Sequence, residues 1–196
     1  MSAQEQTAPT LVLLEGPSDV AAITAVLGDS LAGAGHASYA LVDMGGVTNV
    51  GAHLRRAAEH RPAPRMIGLC DAGEAGVVVR ALQRLGRDVE EPADLAAEHF
   101  FVCERDLEDE LIRALGPDTC LGLLEEVGLA PRFASFSRQP AWQGRPLVQR
   151  LHRFCGIASG RKVMLAGVMA AALGPGQLPA PLAGLVGSLR RSMALD

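Results

Sequence analysis

The chain reads as an α/β protein, a doubly wound parallel sheet of about four strands with a helical C-terminal extension. Three observations predict this. Short, continuous apolar runs at 10–14, 38–43, 65–70 and 99–103 have the length and content of strands buried on both faces. Helical patterns at 18–32, 49–60, 75–86 and 106–115 alternate with those runs, in the order of βαβ units. From 117 onward no convincing strand recurs and helical patterns take over.

The first strand, Thr10-Leu-Val-Leu-Leu, closes on Glu15-Gly16. Pro17-Ser18-Asp19 then opens a helix, with proline in the first turn and an acid facing the helix dipole, and Gly33 is its expected stop. The second strand runs into Asp43-Met-Gly45-Gly46-Val-Thr48-Asn49, where the next helix begins. The third, Met66-Ile-Gly-Leu-Cys, closes on Asp71-Ala-Gly73-Glu74, and its following helix is expected to stop at Gly86. Asp106 marks the start of the helix after the fourth strand and Gly116 its end. Beyond lie a helix at 117–128, an irregular stretch holding Phe133, Phe136, Pro140 and Trp142, and helices at 146–155, 160–173 and 180–193. These bounds divide the chain into a polar, disordered N-terminus at 1–9, an α/β unit at 10–116, and an extension at 117–196 that completes the domain.

A length of 196 residues suits one domain with a proper core. Apolar residues make up 48% and aromatics 4%, so the core is one of Leu, Val and Ala, and stacking platforms for single-stranded nucleic acid are not expected. Cys70, Cys103, Cys120 and Cys155 stand far apart without CxxC spacing. They read as buried reduced thiols in a cytoplasmic protein, with neither zinc nor disulfides. No secretory leader and no charge-free apolar stretch of membrane-spanning length is present, so no membrane partner is expected.

The net charge of −4 conceals a division: residues 1–130 hold 21 acids against 9 Arg, while 131–196 hold 9 Lys plus Arg against Asp196 alone. Such a division suits a metal site flanked by a polyanion-binding surface. It equally suits a basic tail that docks on its own acidic domain.

Ligands of open α/β sheets bind at the carboxyl ends of the strands, so Glu15 and Asp71, each closing an apolar run, are expected side by side in one crevice. Two acids desolvated together repel, which implies a cation between them or a raised pKa. Asp19 stands four residues after Glu15 across the strand-to-helix turn; it serves either as a further oxygen donor or as a helix N-terminal acid. Glu74 lies close enough to Asp71 to add another oxygen. Gly45, Gly46, Thr48 and Asn49 form a glycine turn at a helix N-terminus, read either as a phosphate cradle or as a turn with a Thr cap. Five acids fall within Glu104–Glu110. Asp106 with Asp109 resembles a helix-capping arrangement, but the acids exceed what capping needs, and Glu108 is the choice for a third metal-facing carboxylate. Lys162 is the only lysine in the chain; an ammonium acts as a point charge where guanidinium cannot, which suits a phosphoryl transition state, although one letter in 196 can be chance. Arg145, Arg150, Arg153 and Arg161 are candidates for flanking phosphates. No Walker A loop and no Ser-His-Asp or Cys-His arrangement appears.

Taken together, Leu-Leu-Glu15-Gly-Pro-Ser-Asp19, Met-Gly45-Gly46-Val-Thr-Asn49, Leu-Cys-Asp71-Ala-Gly-Glu74, Asp106-Leu-Glu108-Asp-Glu-Leu-Ile and Ser-Gly160-Arg-Lys162 resemble the TOPRIM nuclease domain of the OLD (overcoming lysogenization defect) family. The similarity runs from about residue 10 to 172 and is nearest to the short proteins described as TOPRIM nucleotidyl transferase/hydrolase domain proteins. It implies a topoisomerase–primase fold, two divalent ions (Mg²⁺ or Mn²⁺) and cleavage of DNA phosphodiesters. By position the family's motif glutamate falls on Glu15, the second acid of its E-x-x-x-[ED] pattern on Asp19, the first aspartate of its DxD motif on Asp71, the L-E acid on Glu108 and the late lysine on Lys162. Where the family has its second aspartate this sequence has Gly73, with Glu74 one position later as a substitute.

The expectation is therefore a metal-dependent DNA endonuclease or nickase, with Glu15, Asp19 and Glu108 around one ion, Asp71 at a second, and Lys162 against the phosphoryl charge. The alternative is a degenerate TOPRIM module that binds nucleic acid or a separate ATPase partner without cutting. A small-nucleotide phosphotransferase using the same acids is the third reading.

Overall fold

The structure is a computed structural model that describes residues 9–28, 39–174 and 176–194. Strands β1 (Thr10–Leu14), β2 (Tyr39–Asp43), β3 (Met66–Asp71) and β4 (Phe100–Cys103) form a sheet in the order β2-β1-β3-β4, parallel throughout. Helices α1 (Pro17–Leu27), α2 (Val50–Glu59), α3 (Ala75–Gln83) and α4 (Leu107–Leu115) follow the strands in turn. Then come α5 (Pro117–Glu126), α6 (Ala130–Ser137), α7 (Leu147–Gly156), α8 (Ser159–Ala171) and α9 (Ala180–Met193).

The strand order explains why a crevice opens where it does. The chain leaves β1 for β2 on one side, then crosses back to place β3 on the other, so the winding reverses between β1 and β3. At such a switch point the loops diverge and leave a cleft at the carboxyl ends of the two strands.

Alternation along the strands splits the core in two. Val12, Leu14, Ile67, Leu69 and Cys103 face one side, where α1, α4 and the later helices cover them. Leu13, Cys70 and Phe100 face the other side with buried residues of α2 and α3. Burial on both faces is why the strands read as unbroken apolar runs. Gly68 in β3 makes room for a neighbour: a Cβ there would lie 2.2 Å from the Phe100 ring. The helices after residue 116 contribute Leu151, Leu165, Leu182 and Leu189 to the same core as α1 and α4. Packing against α1 positions α8, with Gly167 close enough that an added Cβ would lie 3.7 Å from that of Ala21. No described helix is long and apolar enough to cross a membrane.

Several expectations are revised. The stretch around Phe133 and Phe136, expected to be irregular, forms α6; Pro131 suits its first turn and both rings, three residues apart, are buried in the core. β4 begins at Phe100 because His99 has φ 62, outside the strand region. α3 ends at Gln83, and the chain passes through tight turns before Gly86 at φ 75. Gly116, at φ 80, ends α4 as expected. The polar N-terminus up to residue 8, the Gly33 stop and Asp196 lie outside the described residues. The four cysteines are free and buried. Burial raises all four thiols, Cys120 to about 11 and Cys70 and Cys155 to about 12, so they stay protonated at neutral pH.

Candidate metal centre

Glu15 is the residue after β1 and Asp71 the last of β3, so the two stand on neighbouring strands at the switch point. The backbone of Glu15 is clamped from the β2 side. Gly46 N–H donates to the Glu15 carbonyl at 2.8 Å and Met44 N–H to that of Leu14 at 2.9 Å. Gly46 reaches that position with φ 112, where an L side chain is strained. On the β3 side, Glu74 N–H donates to the Asp71 carbonyl at 2.9 Å, a turn that folds Glu74 back toward the strand end.

The result is a group of three carboxylates, Glu15, Asp71 and Glu74, each with one oxygen within 4.8 Å of the others. Oxygen donors across a hard divalent cation lie about 4–5 Å apart, twice the metal–oxygen distance. Oε2 of Glu74 is buried and accepts no hydrogen bond, so this cluster holds acceptor capacity that nothing in the protein satisfies. Burial pushes Glu15 up to about 7, helped by the like charge of Glu74 beside it. Burial, with the charges of Glu15, Asp19, Asp106 and Glu108, does the same to Asp71. Without a cation these acids hold protons near neutrality; oxygen-only donors under mutual repulsion fit Mg²⁺ or Mn²⁺ well.

A second set of groups adjoins the first. Lys162, on α8, places Nζ 3.4 Å from Oε1 of Glu108, on α4. That distance is an ion pair rather than a hydrogen bond, and Glu108 Oε1, buried, has no hydrogen-bond donor. Burial raises both Asp19 and Glu108, and the Lys162 charge opposes the rise at each. Asp19 also caps its own helix, Oδ2 accepting from Gly16 N–H at 3.2 Å, so the capping and site readings of this residue coexist.

The acid-rich segment before and within α4 now sorts by role. Arg113 pairs with Glu104, Asp109 and Glu110 at 2.6, 2.9 and 2.9 Å. Asp106 is the N-cap of α4, accepting from Asp109 N–H at 2.9 Å. Glu108 alone turns toward Lys162. One partner escaped the sequence reading: His152 of α7 places Nε2 2.7 and 2.9 Å from the two oxygens of Asp106. Asp106 is half-buried, which favours the neutral acid, but the His152 and Asp109 hydrogen bonds outweigh this and hold it below the usual carboxylate range. Residues 46 apart with no ligand spacing left no signal of that contact.

In the glycine turn the amides of both glycines are engaged within the protein. Gly45 N–H donates to Asp43 Oδ1 at 2.8 Å and Gly46 N–H to Glu15. Asn49 folds its amide onto the carbonyls of Met44 and Gly45 at 2.8 and 3.3 Å, while Thr48 stays exposed. A closed turn makes these residues a clamp on Glu15. Among the arginines, Arg145 and Arg153 are exposed and Arg150 is half-buried. Arg161 donates to the Phe154 carbonyl at 3.0 Å and lies over the Phe154 ring at 4.0 Å, so it is partly spent on α7. Carboxylates of Glu15, Asp71 and Glu74 are thus brought together, Asp19, Glu108 and Lys162 beside them.

Comparison with solved structures bears on this architecture. The chain matches the C-terminal region of the Xanthomonas campestris pv. campestris OLD protein with a TM-score of 0.66 and 18% identity, covering 96% of this chain and 97% of that one. The C-terminal region of the Burkholderia pseudomallei OLD protein matches with a TM-score of 0.66 and 18% identity, over 95% and 98% of the two chains. The protein therefore has the fold of the OLD C-terminal region, along nearly all its length. No family model and no curated protein matches the sequence.

Proposed function

We propose that this protein is a divalent-metal-dependent phosphodiester hydrolase of the OLD-type TOPRIM class, acting on DNA as a nickase or endonuclease. The observation that carries the reading is the meeting of Glu15, Asp71 and Glu74 at the switch point of the sheet. These three would hold Mg²⁺ or Mn²⁺, with Asp19 and Glu108 as oxygen donors toward a second ion. A bound cation of this kind supplies Lewis-acid polarisation of a phosphoryl oxygen and a more acidic water.

The chain's own groups supply the rest. Lys162 brings a fixed positive charge to the crevice, where excess negative charge on phosphoryl oxygens is stabilised most at low local dielectric. Glu108 holds that ammonium in place. Arg145 and Arg153, exposed in the basic C-terminal third, take flanking phosphates, so DNA affinity falls steeply with salt. Plasmid nicking in Mn²⁺ tests the proposal: wild type nicks, and Glu15→Ala and Asp71→Ala do not. Nicking that survives both substitutions overturns it.

Gly73 favours a second reading, in which the module captures nucleic acid or a separate ATPase without turnover. The position lacks the carboxylate that the family's DxD motif places there. Calorimetry with Mg²⁺ and DNA separates the two, since this reading requires DNA binding without product.

A further inference from the structure

At the opposite end of the sheet, roughly 17 Å of strand from the acidic cluster, the amino ends of β3 and β4 meet α9 around a recess of about 310 Å³. Arg65 immediately precedes β3 and His99 immediately precedes β4, while Ser188, Arg191 and Ser192 come from α9. Met66 and Ile67 supply its apolar wall. No carboxylate lines the recess, and neither arginine has an ion-pair partner among the described residues.

His99 is what makes this more than a basic dent. It is the only non-glycine among the described residues with positive φ, at 62. A Cβ atom makes that conformation unfavourable, and glycine would adopt it freely. The surroundings nevertheless hold it there: Gly68 N–H donates to its carbonyl at 3.0 Å, and its Nδ1 lies 2.8 Å from the hydroxyl of Ser188, which is buried. An imidazole and two guanidiniums are gathered around one recess.

We infer that this recess binds a phosphate monoester carried on a small organic body, about the size of a nucleoside monophosphate. Two guanidiniums match the near-double negative charge and several acceptor oxygens of such a group better than those of a carboxylate. The volume exceeds the needs of inorganic phosphate and lies at the lower end of small-molecule pockets. The same chemistry is offered by a free nucleotide and by the 5′-phosphorylated end of a DNA strand.

Calorimetry on the full chain without divalent metal tests the inference with four probes: inorganic phosphate, thymidine 5′-monophosphate, and a short oligothymidine with or without a 5′-phosphate. Saturable binding of the monophosphate is expected, weakened by about tenfold or more in Arg65→Ala/Arg191→Ala and unchanged in Glu15→Ala. Preference for the phosphorylated oligonucleotide over the monophosphate assigns the site to a strand end; the reverse assigns it to a free nucleotide. His99→Gly, which suits the local backbone, keeps the melting temperature or raises it while weakening binding. No saturable binding of any phosphorylated probe, or binding indifferent to the arginine substitutions, overturns the inference. Because metal is absent and Glu15→Ala is the control, the result is independent of phosphodiester hydrolysis.

Discussion

Lys162 Nζ stands 3.4 Å from Oε1 of Glu108, and this pair joins α8 to α4 beside the carboxylates of the crevice. Glu108 is 5% exposed, so its charge depends on that ammonium. Burial works against the Lys162 charge, but Glu108, Asp19 and Asp71 together raise its pKa, keeping it cationic through the physiological range. Every other cation of the chain is an arginine, whose charge is spread over a planar fork where an ammonium is a compact point charge.

Lys162→Met is therefore expected to lose phosphodiesterase activity and about 1 kcal/mol of stability, the cost of an unpaired Glu108 tempered by partial exposure of the lysine. Lys162→Arg restores the charge but not full activity. Urea denaturation and plasmid nicking read the two effects separately.

The acidic cluster makes metal-free stability pH-dependent. Glu15 and Asp71 titrate at about 7 in the folded chain, against ordinary values of 4.5 and 3.8. The folded state thus binds more protons than the unfolded state between about pH 4 and 7. Stability falls as pH rises through that window, by at most about 1.4 kcal/mol per pH unit for each group. Mn²⁺ replaces the protons and flattens the profile. Melting temperatures at pH 5 and pH 8, with and without Mn²⁺, check both the sign and the flattening.

Gly73 is a vacancy in chemistry and not a demand of the backbone. A Cβ there meets nothing within 4 Å, and its φ is not positive. Gly73→Asp is expected to fold normally, to tighten Mn²⁺ binding by about tenfold through one more carboxylate, and to raise the nicking rate. Calorimetric titration of Mn²⁺ into both proteins measures the gain.

Gly46 presents the opposite case, since φ 112 requires glycine. Gly46→Ala costs about 1–3 kcal/mol of strain and loosens the 2.8 Å bond that clamps Glu15. Mn²⁺ affinity should fall with stability, whereas Gly86→Ala, at φ 75 far from the clamp in sequence, should lower stability alone. Paired melting and titration experiments distinguish the two.

His152→Ala removes two short contacts to Asp106 and leaves the α4 cap to Asp109 N–H alone. A loss of about 1.5–3 kcal/mol is expected for a hydrogen bond to a charged group. His152→Gln should recover part of it in urea melts.

The strand ends, the sheet winding and the acids that close β1 and β3 were legible because buried parallel strands leave continuous apolar runs and glycine turns punctuate them. Glu74 was legible as a neighbour of Asp71, but its place against Glu15 depends on a turn that residue types alone do not determine. α6 was hidden because Pro131, Ser135 and Ser137 resemble loop residues, while the pull of Phe133 and Phe136 into the core is a tertiary effect. Glycines at 45 and 46 suggested open amides; whether an amide is open depends on Asp43 and Glu15, which close both. Lys162 stood out by rarity, whereas His152 did not, because its partner lies across the fold.

Anomalous scattering from a crystal of the protein soaked in Mn²⁺ tests the metal site most directly. A peak bounded by the carboxylates of Glu15, Asp71 and Glu74 is the predicted result. An empty position there, at a Mn²⁺ concentration that supports nicking by the same preparation, would contradict it.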